Sequence, residues 1–330
     1  MQQRVTMADV ARAAGVSSAT VSYVLSGKRP VAPETRAAVE AAIEELSFTV
    51  NATARSLRTG RSSLVALIVP DIANPFFAQL AGALQEELRG LGLHVVVCST
   101  RARRDEEKAL LAEAVDQRFA GVVITPFRLR PQDFQPAIDS GMPLVVSADV
   151  SFGPVDLVTP DARAATRRAL EQVTAARRRR IAMIAGPRDA TGGDPRLEHI
   201  RSLAPQFGLS LPHELVVRGE HTREAGAEGF GTLMNRRYRP DAVFCGNDVM
   251  AVGALDKAHD LGIHIPDDVA LIGHDDASFA SLVRPRLTTI RYPAAEVGRT
   301  AAQLLTERLG GRDVPKTVHV KAEFVARASV

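Results

Sequence analysis

The chain has 330 residues, of which 45% are hydrophobic and 24% charged, and its formal net charge is +3. This composition is typical of a globular protein, and the length allows more than one domain. The sequence has no apolar run that could span a bilayer and no apolar signal region after Met1, so we expect a cytoplasmic protein. Cys98 and Cys245 each end an apolar run and are expected to be buried free thiols.

The positive charge is unevenly placed along the chain. Residues 1–62 contain eight Lys and Arg residues against five Asp and Glu residues, whereas the rest of the chain contains 33 of each kind. The whole excess therefore lies in the N-terminal segment. Such a segment attracts polyanions in a salt-dependent way, although an excess of three charges does not decide the matter alone.

Two short helices are predicted on either side of Ala14-Gly-Val16. Thr6 with Asp9 forms a capping-box pattern before the first helix, and Ser17 can cap the second. Apolar residues at helical spacing would bury the face between them: Val10, Ala14, Val21, Val24 and Leu25. This is the pattern of a helix-turn-helix, whose second helix lies in the major groove of DNA. A third helix is predicted from about Pro33 to Leu46, without a side-chain cap at Ala32.

From residue 64 onward, short apolar runs alternate with amphipathic segments. Continuous apolar strands separated by helices predict parallel sheets that are covered on both faces. The first series is Leu64–Val69, His94–Cys98, Val122–Thr125 and Leu144–Ser147, and the second is Ile181–Ala185, Ala242–Cys245 and Val269–Gly273. The predicted fold class is therefore α/β, with a helix-turn-helix headpiece and two doubly wound parallel-sheet subdomains.

Several motifs resemble the lactose/galactose repressor family of bacterial transcription regulators. The headpiece motifs are Asp9-Val-Ala, Ala14-Gly-Val-Ser, Thr20-Val-Ser, Glu34-Thr-Arg and Asn51-Ala-Thr-Ala-Arg-Ser-Leu-Arg-Thr-Gly60. The later motifs are Asp71-Ile-Ala-Asn-Pro-Phe-Phe77, Gly246-Asn-Asp-Val-Met-Ala251 and Gly273-His-Asp-Asp276. Each motif is weak evidence alone, but their shared order makes the resemblance specific, and it covers nearly the whole chain.

The resemblance implies a domain organisation. It places the DNA-binding headpiece at residues 1–50 and a hinge helix with its linker at 51–62. The core would resemble periplasmic sugar-binding proteins, with a first subdomain of residues 63–160 and 292–320 and a second of 161–291 and 321–330. The chain would cross between them near Pro160, Arg291 and Lys321, around a ligand cleft. The family also implies a homodimer on a near-palindromic operator in double-stranded DNA.

The resemblance also assigns DNA contacts. Ser18, Ala19 and Tyr23 occupy positions that the family uses for base edges, and Tyr23 stands where an Arg is common. Because Tyr cannot form the bidentate bond of Arg to guanine, the operator is expected to differ, with packing or a phosphate bond as the equal alternative for Tyr23. Phosphate contacts are expected from Thr6, Ser17, Thr20 and Ser22.

The segment 51–58 is the second DNA-binding element that the resemblance implies. It would fold into a helix only on the operator, with contacts from Asn51 and Ala54, and Leu57 of each subunit would enter the minor groove. An ordinary interdomain linker is the alternative.

A small-molecule site is expected where strands of the core end. Polar residues there can bind hydroxyl groups of a sugar or edges of a base: Asp71, Asp149, Asn247 and Asp275. Phe76 and Phe77 fit either ligand packing or the core, and Asp149 fits a helix cap. The resemblance matches Arg196, Asn247 and Asp275 to the family's effector positions.

Two histidines depart from the family pattern. His221 replaces a frequent aromatic residue and His274 a frequent Phe, which leaves the identity of the effector open. Both histidines are expected to be structural or surface groups rather than catalytic ones.

The sequence offers little for an enzyme. It has no Walker loop and no metal-ligand spacing, and Gly229-x-Gly231 lacks the third glycine of a dinucleotide fingerprint, so no cofactor is expected. Asp275 and Asp276 have no companion nucleophile. The basic run Arg177–Arg180 is expected to be a solvated turn rather than a second nucleic-acid site. Three classes remain, a ligand-controlled regulator, a solute-binding protein and a sugar-processing enzyme, and the sequence favours the first, as a repressor with a sugar-like effector.

Overall fold

The computed structural model describes residues 5–26, 29–46, 48, 62–150 and 152–330. The chain divides into two compact units, Met1–Ser62 and Ser63–Val330. The described part of the smaller unit contains α1 (Met7–Ala13), α2 (Ser18–Ser26) and α3 (Pro33–Glu45).

The three helices of the smaller unit enclose a small apolar core. Val10, Val21 and Val39 are fully buried in it, one from each helix. Gly15 has a φ of +65°, a conformation that a glycine adopts without strain, and it makes the sharp turn between α1 and α2. α3 begins with Pro33, and Ala32 provides no side-chain cap, as the sequence predicts. The predicted helix-turn-helix is confirmed.

The larger unit alternates strands and helices. Its strands are β1 (Leu64–Val69), β2 (His94–Ser99), β3 (Gly121–Ile124), β4 (Leu144–Ser147), β5 (Asp156–Asp161), β6 (Ile181–Ala185), β7 (Val216–Arg218), β8 (Ala242–Cys245), β9 (Ala270–Asp275), β10 (Thr288–Arg291), β11 (Thr317–Lys321) and β12 (Glu323–Val325). Its helices are α4 (Pro75–Arg89), α5 (Arg104–Asp116), α6 (Gln135–Asp139), α7 (Arg163–Ala175), α8 (Pro195–Leu203), α9 (Arg223–Met234), α10 (Asp248–Asp260) and α11 (Ala294–Leu309).

The strands form two six-stranded sheets. The first has the order β11-β5-β4-β3-β1-β2 and the second β12-β10-β9-β8-β6-β7. Every pairing is parallel except that of β10 with β12. We call the part built on the first sheet the first subdomain and the part built on the second sheet the second subdomain. The chain passes between them after β5, after β10 and after β11.

The sheets are covered on both faces, which explains their continuous apolar strands. In β1, Val65, Leu67 and Val69 pack into the core on one face of the sheet. Ala66 and Ile68 pack into the core on the opposite face. A strand with both faces buried favours apolar residues at consecutive positions. The predicted α/β class with two parallel-sheet subdomains is confirmed.

Several strands were not predicted from the sequence because they lack a continuous apolar run. They are β5, β7, β10, β11 and β12, which are short or carry polar residues. The prediction for Cys98 is wrong in part, since its thiol is free but only half-buried, whereas Cys245 is free and buried. The reason is that β2 lies at the edge of its sheet and β8 lies inside the other.

Candidate functional site

The start of α1 is fixed by a reciprocal capping box. The Thr6 hydroxyl accepts a hydrogen bond from the Asp9 backbone N–H at 3.4 Å, and the Asp9 carboxylate accepts from the Thr6 N–H at 2.9 Å. The hydrogen bonds from Thr6 lower the pKa of Asp9. The Thr6 side chain therefore already has a structural role in the smaller unit, and its predicted phosphate contact stays a prediction.

The start of α2 presents small polar residues to solvent. The Ser17 hydroxyl accepts from the Thr20 N–H at 3.1 Å and lies 2.9 Å from the Thr20 hydroxyl, so the predicted cap is present. Ser18 and Ala19 are exposed. A helix that begins with short, exposed side chains can approach base edges closely.

The other side of α2 is more enclosed. Tyr23 and Ser22 are half-buried, and the Arg29 guanidinium lies 5.2 Å from the centre of the Tyr23 ring. This contact gives Tyr23 a packing role, and the alternative of a base contact stays open. Asn51, Ala54 and Leu57, which the sequence assigns to the hinge, lie outside the described residues.

A cleft of about 610 Å³ lies between the two subdomains of the larger unit. Its wall contains all seven residues that the sequence assigns to a ligand site: Asp71, Phe76, Phe77, Asp149, Arg196, Asn247 and Asp275. They come from strand ends and from the first turns of helices, where parallel α/β sheets bind ligands. The volume is that of a typical small-molecule site.

Arg196 and Asp275 form the charged centre of the cleft. Arg196 Nη2 lies 3.5 Å from Asp275 Oδ1, and the guanidinium lies 5.6 Å from the centre of the Tyr292 ring. Burial opposes the charge on Arg196, but Asp275 and neighbouring acids outweigh it and raise the pKa of the guanidinium. Burial likewise opposes the charge on Asp275, yet hydrogen bonding to His274 and the charge of Arg196 lower its pKa. Both groups are therefore charged at neutral pH.

The first subdomain reaches the same carboxylate. Asn74 Nδ2 donates a hydrogen bond to Asp275 Oδ2 at 3.3 Å. The amide oxygen of Asn74 is already used, because it accepts from the Phe76 N–H at 3.0 Å and caps α4. The cap fixes the orientation of the amide, so that its NH₂ group faces Asp275. Asn74 is a site residue that the sequence analysis missed.

Two histidines flank the charged centre. His221 Nε2 lies 3.4 Å from Arg196 Nη1, and the ring meets the edge of Phe127 of the first subdomain at 5.5 Å. His274 is 3% exposed, and its Nδ1 lies 3.5 Å from Asp275 Oδ1. Burial and the charge of Arg196 lower the pKa of each histidine to about 4. Both rings are neutral at physiological pH.

The remaining acids of the cleft differ in environment. Asp149 is accessible from the cleft, but the cleft walls surround it, and this burial raises its pKa to about 6 against the opposing charge of Arg196. Asp71 is exposed and accepts from the Ala73 N–H at 2.9 Å. Both carboxylates can accept hydrogen bonds from hydroxyl groups of a ligand.

Phe76, Phe77 and Asn247 each have structural partners as well. The rings of Phe76 and Phe77 meet edge to face at 5.1 Å, and Phe77 is buried in the core of the first subdomain. Asn247 caps α10 by accepting from the Met250 N–H at 2.9 Å, which leaves its NH₂ group for a ligand. Phe76, which is half-buried and also meets Tyr292, offers the more accessible ring of the two.

The side chains of the neighbouring residues Asp275 and Asp276 point to different partners. Whereas Asp275 faces the cleft, Asp276 lies 2.8 Å from Arg291 and 2.6 Å from Arg327. Asp248 lies beneath them, and burial and the charge of Asp275 raise its pKa to about 8. It accepts hydrogen bonds from the Thr289 hydroxyl and the Ala277 N–H, both at 2.7 Å. Asp248 and Asp276 therefore have structural partners, and Asp275 and Asp276 do not face a common site.

Arg128 joins the two subdomains at the cleft, and the sequence analysis missed it. It follows β3 in the first subdomain, and its guanidinium lies 2.8 Å from Asp189 and 2.6 Å from Glu220 of the second. Beside it, the Thr191 N–H donates to the Phe127 carbonyl at 2.7 Å. A sequence pattern cannot reveal such pairs, because their partners lie more than 60 residues apart.

The basic run 177–180 has structural partners. Arg178 donates to the Pro266 carbonyl at 2.6 Å, and the Asp241 carboxylate accepts from the backbone N–H groups of Arg179 and Arg180. In the part of the chain that the structure describes, no cluster of three or more His, Cys, Asp or Glu residues could hold a metal ion, and no helix could cross a membrane.

Comparisons with known proteins agree with this architecture. Residues 6–51 match the family of bacterial regulatory proteins of the lacI family, and residues 170–330 match the periplasmic binding protein-like domain. The HTH-type transcriptional repressor PurR of Proteus mirabilis (strain HI4320) is 31% identical over 334 residues, which cover 98% of this chain and 96% of that protein.

Two solved structures extend the likeness over the whole fold. The transcriptional regulator CelR in complex with cellobiose is 31% identical, with a TM-score of 0.74, over 99% of this chain and all of that one. The lac repressor dimer bound to operator and the anti-inducer ONPF is 27% identical, with a TM-score of 0.88, over 99% of both chains. Because the identity to relatives exceeds 30% over nearly the full length, the chain belongs to the LacI family of bacterial regulatory proteins.

Proposed function

We propose that this protein is a transcriptional repressor that binds operator DNA as a homodimer in the cytoplasm and responds to a small polyhydroxylated effector, a sugar or a close derivative. The observation that carries the proposal is the Arg196–Asp275 pair in the cleft of a chain that also has a helix-turn-helix unit. The regulators CelR and the lac repressor bind cellobiose and ONPF in their solved structures, and they support the same assignment.

The chemistry of the cleft favours an uncharged, hydroxyl-rich ligand. Arg196 and Asp275 neutralise each other, so that neither demands an opposite charge from the ligand. Side by side they offer a donor and an acceptor, which suits neighbouring hydroxyl groups. The rings of Phe76 and Tyr292 add an apolar surface for a sugar face. A sugar phosphate would bring two negative charges close to Asp149 and Asp275.

DNA binding rests on the smaller unit. The exposed Ser18 and Ala19 at the start of α2 suit base contacts, and Thr6, Ser17, Thr20 and Ser22 provide hydroxyl groups for phosphates. Asn51, Ala54 and Leu57 belong to the proposed hinge, from which Leu57 would enter the minor groove. Two headpieces related by two-fold symmetry would bind a near-palindromic operator.

The response to the effector requires two states of the cleft. Contacts that cross the cleft, such as Asn74 with Asp275, depend on the distance between the subdomains. A ligand that binds one state more tightly shifts the population toward it, and DNA affinity changes if the hinge segments differ between the states.

A thermal-shift screen tests the ligand class directly. Monosaccharides, disaccharides and nucleobases would be added to the purified chain, and we expect a sugar to raise its Tm, since a ligand at a hundredfold excess over its Kd stabilises a fold by about 2.7 kcal/mol. Stabilisation by a nucleobase alone would replace the sugar with a purine or pyrimidine effector.

Variants of the charged pair test the site. Arg196→Ala and Asp275→Ala should each weaken binding of the stabilising sugar roughly tenfold or more, because a charge-assisted hydrogen bond contributes about 1.5–3 kcal/mol. Arg201→Ala on the same helix α8 is the matched control, since Arg201 pairs with Glu198 on the surface. If the pair variants bind the sugar as the unaltered chain does, the effector site lies elsewhere.

A truncation tests the DNA-binding unit. A fragment that begins at Ser63 should keep the thermal response to the sugar and lose operator binding, because residues 63–330 form one compact unit with their own cores. Operator sequences would be selected from random DNA with the full chain. Undiminished operator binding by the fragment would refute the assignment of the headpiece.

A further inference from the structure

His274 is a polar ring that lies buried beside the charged centre of the cleft. It is 3% exposed and packs against Tyr292, with the two ring centres 4.4 Å apart and tilted by 38°. An apolar ring would fill the same space, whereas a buried imidazole loses the hydration of two nitrogen atoms. That loss is unfavourable unless a nitrogen gains a hydrogen bond.

The neighbour of His274 determines which nitrogen carries the proton. Asp275 is ionised and can only accept hydrogen bonds, and its Oδ1 lies 3.5 Å from His274 Nδ1. The Nδ1 atom must therefore be the donor. Because the ring is neutral, Nε2 carries a lone pair, and Nε2 is buried without a hydrogen-bond partner among the described residues.

The backbone of Asp275 is strained, and its carboxylate has several hydrogen-bond donors. Its φ is +104°, in the region that residues other than glycine rarely adopt. Three donors hold the carboxylate: His274 and Arg196 at Oδ1, and Asn74 at Oδ2. Arg196 carries a positive charge and Asn74 belongs to the first subdomain. His274 is the neutral donor from the same subdomain as Asp275.

The same imidazole also supports Arg196. His274 packs on Tyr292, and the Arg196 guanidinium lies 5.6 Å from the centre of the Tyr292 ring. The imidazole thus touches one member of the charged pair directly and supports the other through an aromatic ring.

We propose that His274 is a positioning residue of the effector site. Its Nδ1–H donates to Asp275 Oδ1 and holds the carboxylate so that Oδ2 can accept hydrogen bonds in the cleft. The effect of His274 on ligand binding rests on the proposed function. Its hydrogen bond to Asp275 does not depend on a ligand. Lowering of the His274 pKa to about 4 by burial keeps the ring neutral under physiological conditions.

The tautomer is the first test. In water, neutral imidazole favours the Nε2–H form, so an Nδ1–H histidine has a distinct pattern of ¹⁵N chemical shifts. We expect NMR of the full chain with ¹⁵N-labelled histidine to show His274, assigned by its loss in a His274→Asn variant, as neutral and protonated at Nδ1 at pH 7. A neutral Nε2–H form or an imidazolium would overturn the proposal.

The second test separates the hydrogen bond from packing. His274→Asn places an amide NH₂ near the position of Nδ1, whereas His274→Phe keeps a ring and loses the donor. Crystal structures should show Asp275 in place in the Asn variant and turned in the Phe variant. His319→Phe in the exposed β11 is the control for the same chemical change. An unmoved Asp275 in the Phe variant would overturn the proposal.

The third test asks whether His274 affects ligand binding, with the affinity for cellobiose measured by titration calorimetry. The Phe variant should bind cellobiose about tenfold more weakly than the unaltered chain, and the Asn variant should recover most of the affinity. Equal affinities of the Phe and unaltered chains would refute a role in ligand binding. If the unaltered chain does not bind cellobiose, the proposed ligand class has failed with this probe, and the NMR and crystal results decide the role of His274 alone.

Discussion

Arg128 is expected to hold the cleft closed. It connects the first subdomain to Asp189 and Glu220 of the second by ion pairs of 2.8 and 2.6 Å, and it also donates to the Ala102 carbonyl of its own subdomain. The backbone at Arg128 is fixed by the buried Glu107. The Glu107 carboxylate accepts hydrogen bonds from the N–H groups of Phe127 and Arg128 at 2.6 and 2.9 Å. The guanidinium therefore presents a fixed charge to the opposite side.

The size of the effect follows from exposure. The side chains of Asp189 and Glu220 are 68% and 51% exposed, so each pair is worth only about 0.2–1 kcal/mol. Two pairs together contribute roughly 0.5–2 kcal/mol to the closed state. At about 1.4 kcal/mol for each factor of ten, Arg128→Gln should shift the balance toward the open state by about two- to thirtyfold.

Hydrogen exchange measures this shift without a ligand. The Thr191 N–H donates across the cleft to the Phe127 carbonyl, so its exchange requires opening. In Arg128→Gln, this amide should exchange about two- to thirtyfold faster. The Gly219 amide, which bonds to the Ala185 carbonyl within the second subdomain, should exchange at an unchanged rate.

Two controls sharpen the measurement. Arg188→Gln removes an exposed arginine from the neighbouring loop and should leave the Thr191 amide unchanged. Added salt should accelerate exchange of Thr191 in the unaltered chain more than in Arg128→Gln, since salt screens exposed pairs. If Thr191 exchanges equally in the unaltered chain and in Arg128→Gln, the ion pairs do not hold the cleft closed.

Three further predictions concern DNA and pH. Tyr23→Arg should shift selected half-sites toward guanine at one position, and identical selected sequences would show that Tyr23 does not face bases. Leu57→Ala should weaken operator binding and reduce DNA bending in gel-shift assays, and unchanged bending would make residues 51–58 a plain linker. The pKa of Asp149 rises on folding from 3.8 to about 6, so the folded chain binds more protons in that range and loses stability as the pH rises through it. Asp149→Asn should therefore raise the Tm at pH 7 more than at pH 4, and an equal change at both would contradict the raised pKa of Asp149.

Local patterns predicted much of the fold. The apolar runs at β1, β4, β6 and β8 matched the observed bounds, because strands buried on both faces are mostly apolar. The run at β11, Thr-Val-His-Val-Lys, alternates because its strand lies at the edge of the first sheet and is half-exposed. This alternation is a signal of a half-buried strand, which the search for continuous apolar runs did not detect.

The cleft was predictable to the extent that its residues sit at strand ends. Arg196 and Asp275 meet there as the resemblance implied, although their roles in binding an effector stay predictions. Asn74, Arg128 and Tyr292 were not predicted. Asn74 looks like an ordinary helix cap, and its second role depends on a carboxylate 201 residues away in the other subdomain.

The placement of Asp275 beside Asp276 gives a physical route from the cleft to the connections between subdomains. Both residues have positive φ values, +104° and +56°, and their carboxylates point to different partners. Asp276 pairs with Arg291 at the end of β10, where the chain leaves the second subdomain, and Arg291 also pairs with Glu323 at 2.9 Å, just after the chain returns.

Two of the three crossings are thus tied by charge to the residue next to the cleft carboxylate. We expect a ligand that displaces Asp275 to disturb Asp276 and its ion pair with Arg291, at the point where the chain leaves the second subdomain. Such a coupling would need no long chain of contacts, because Asp275 lines the cleft and its neighbour Asp276 pairs with an arginine at a crossing between the subdomains.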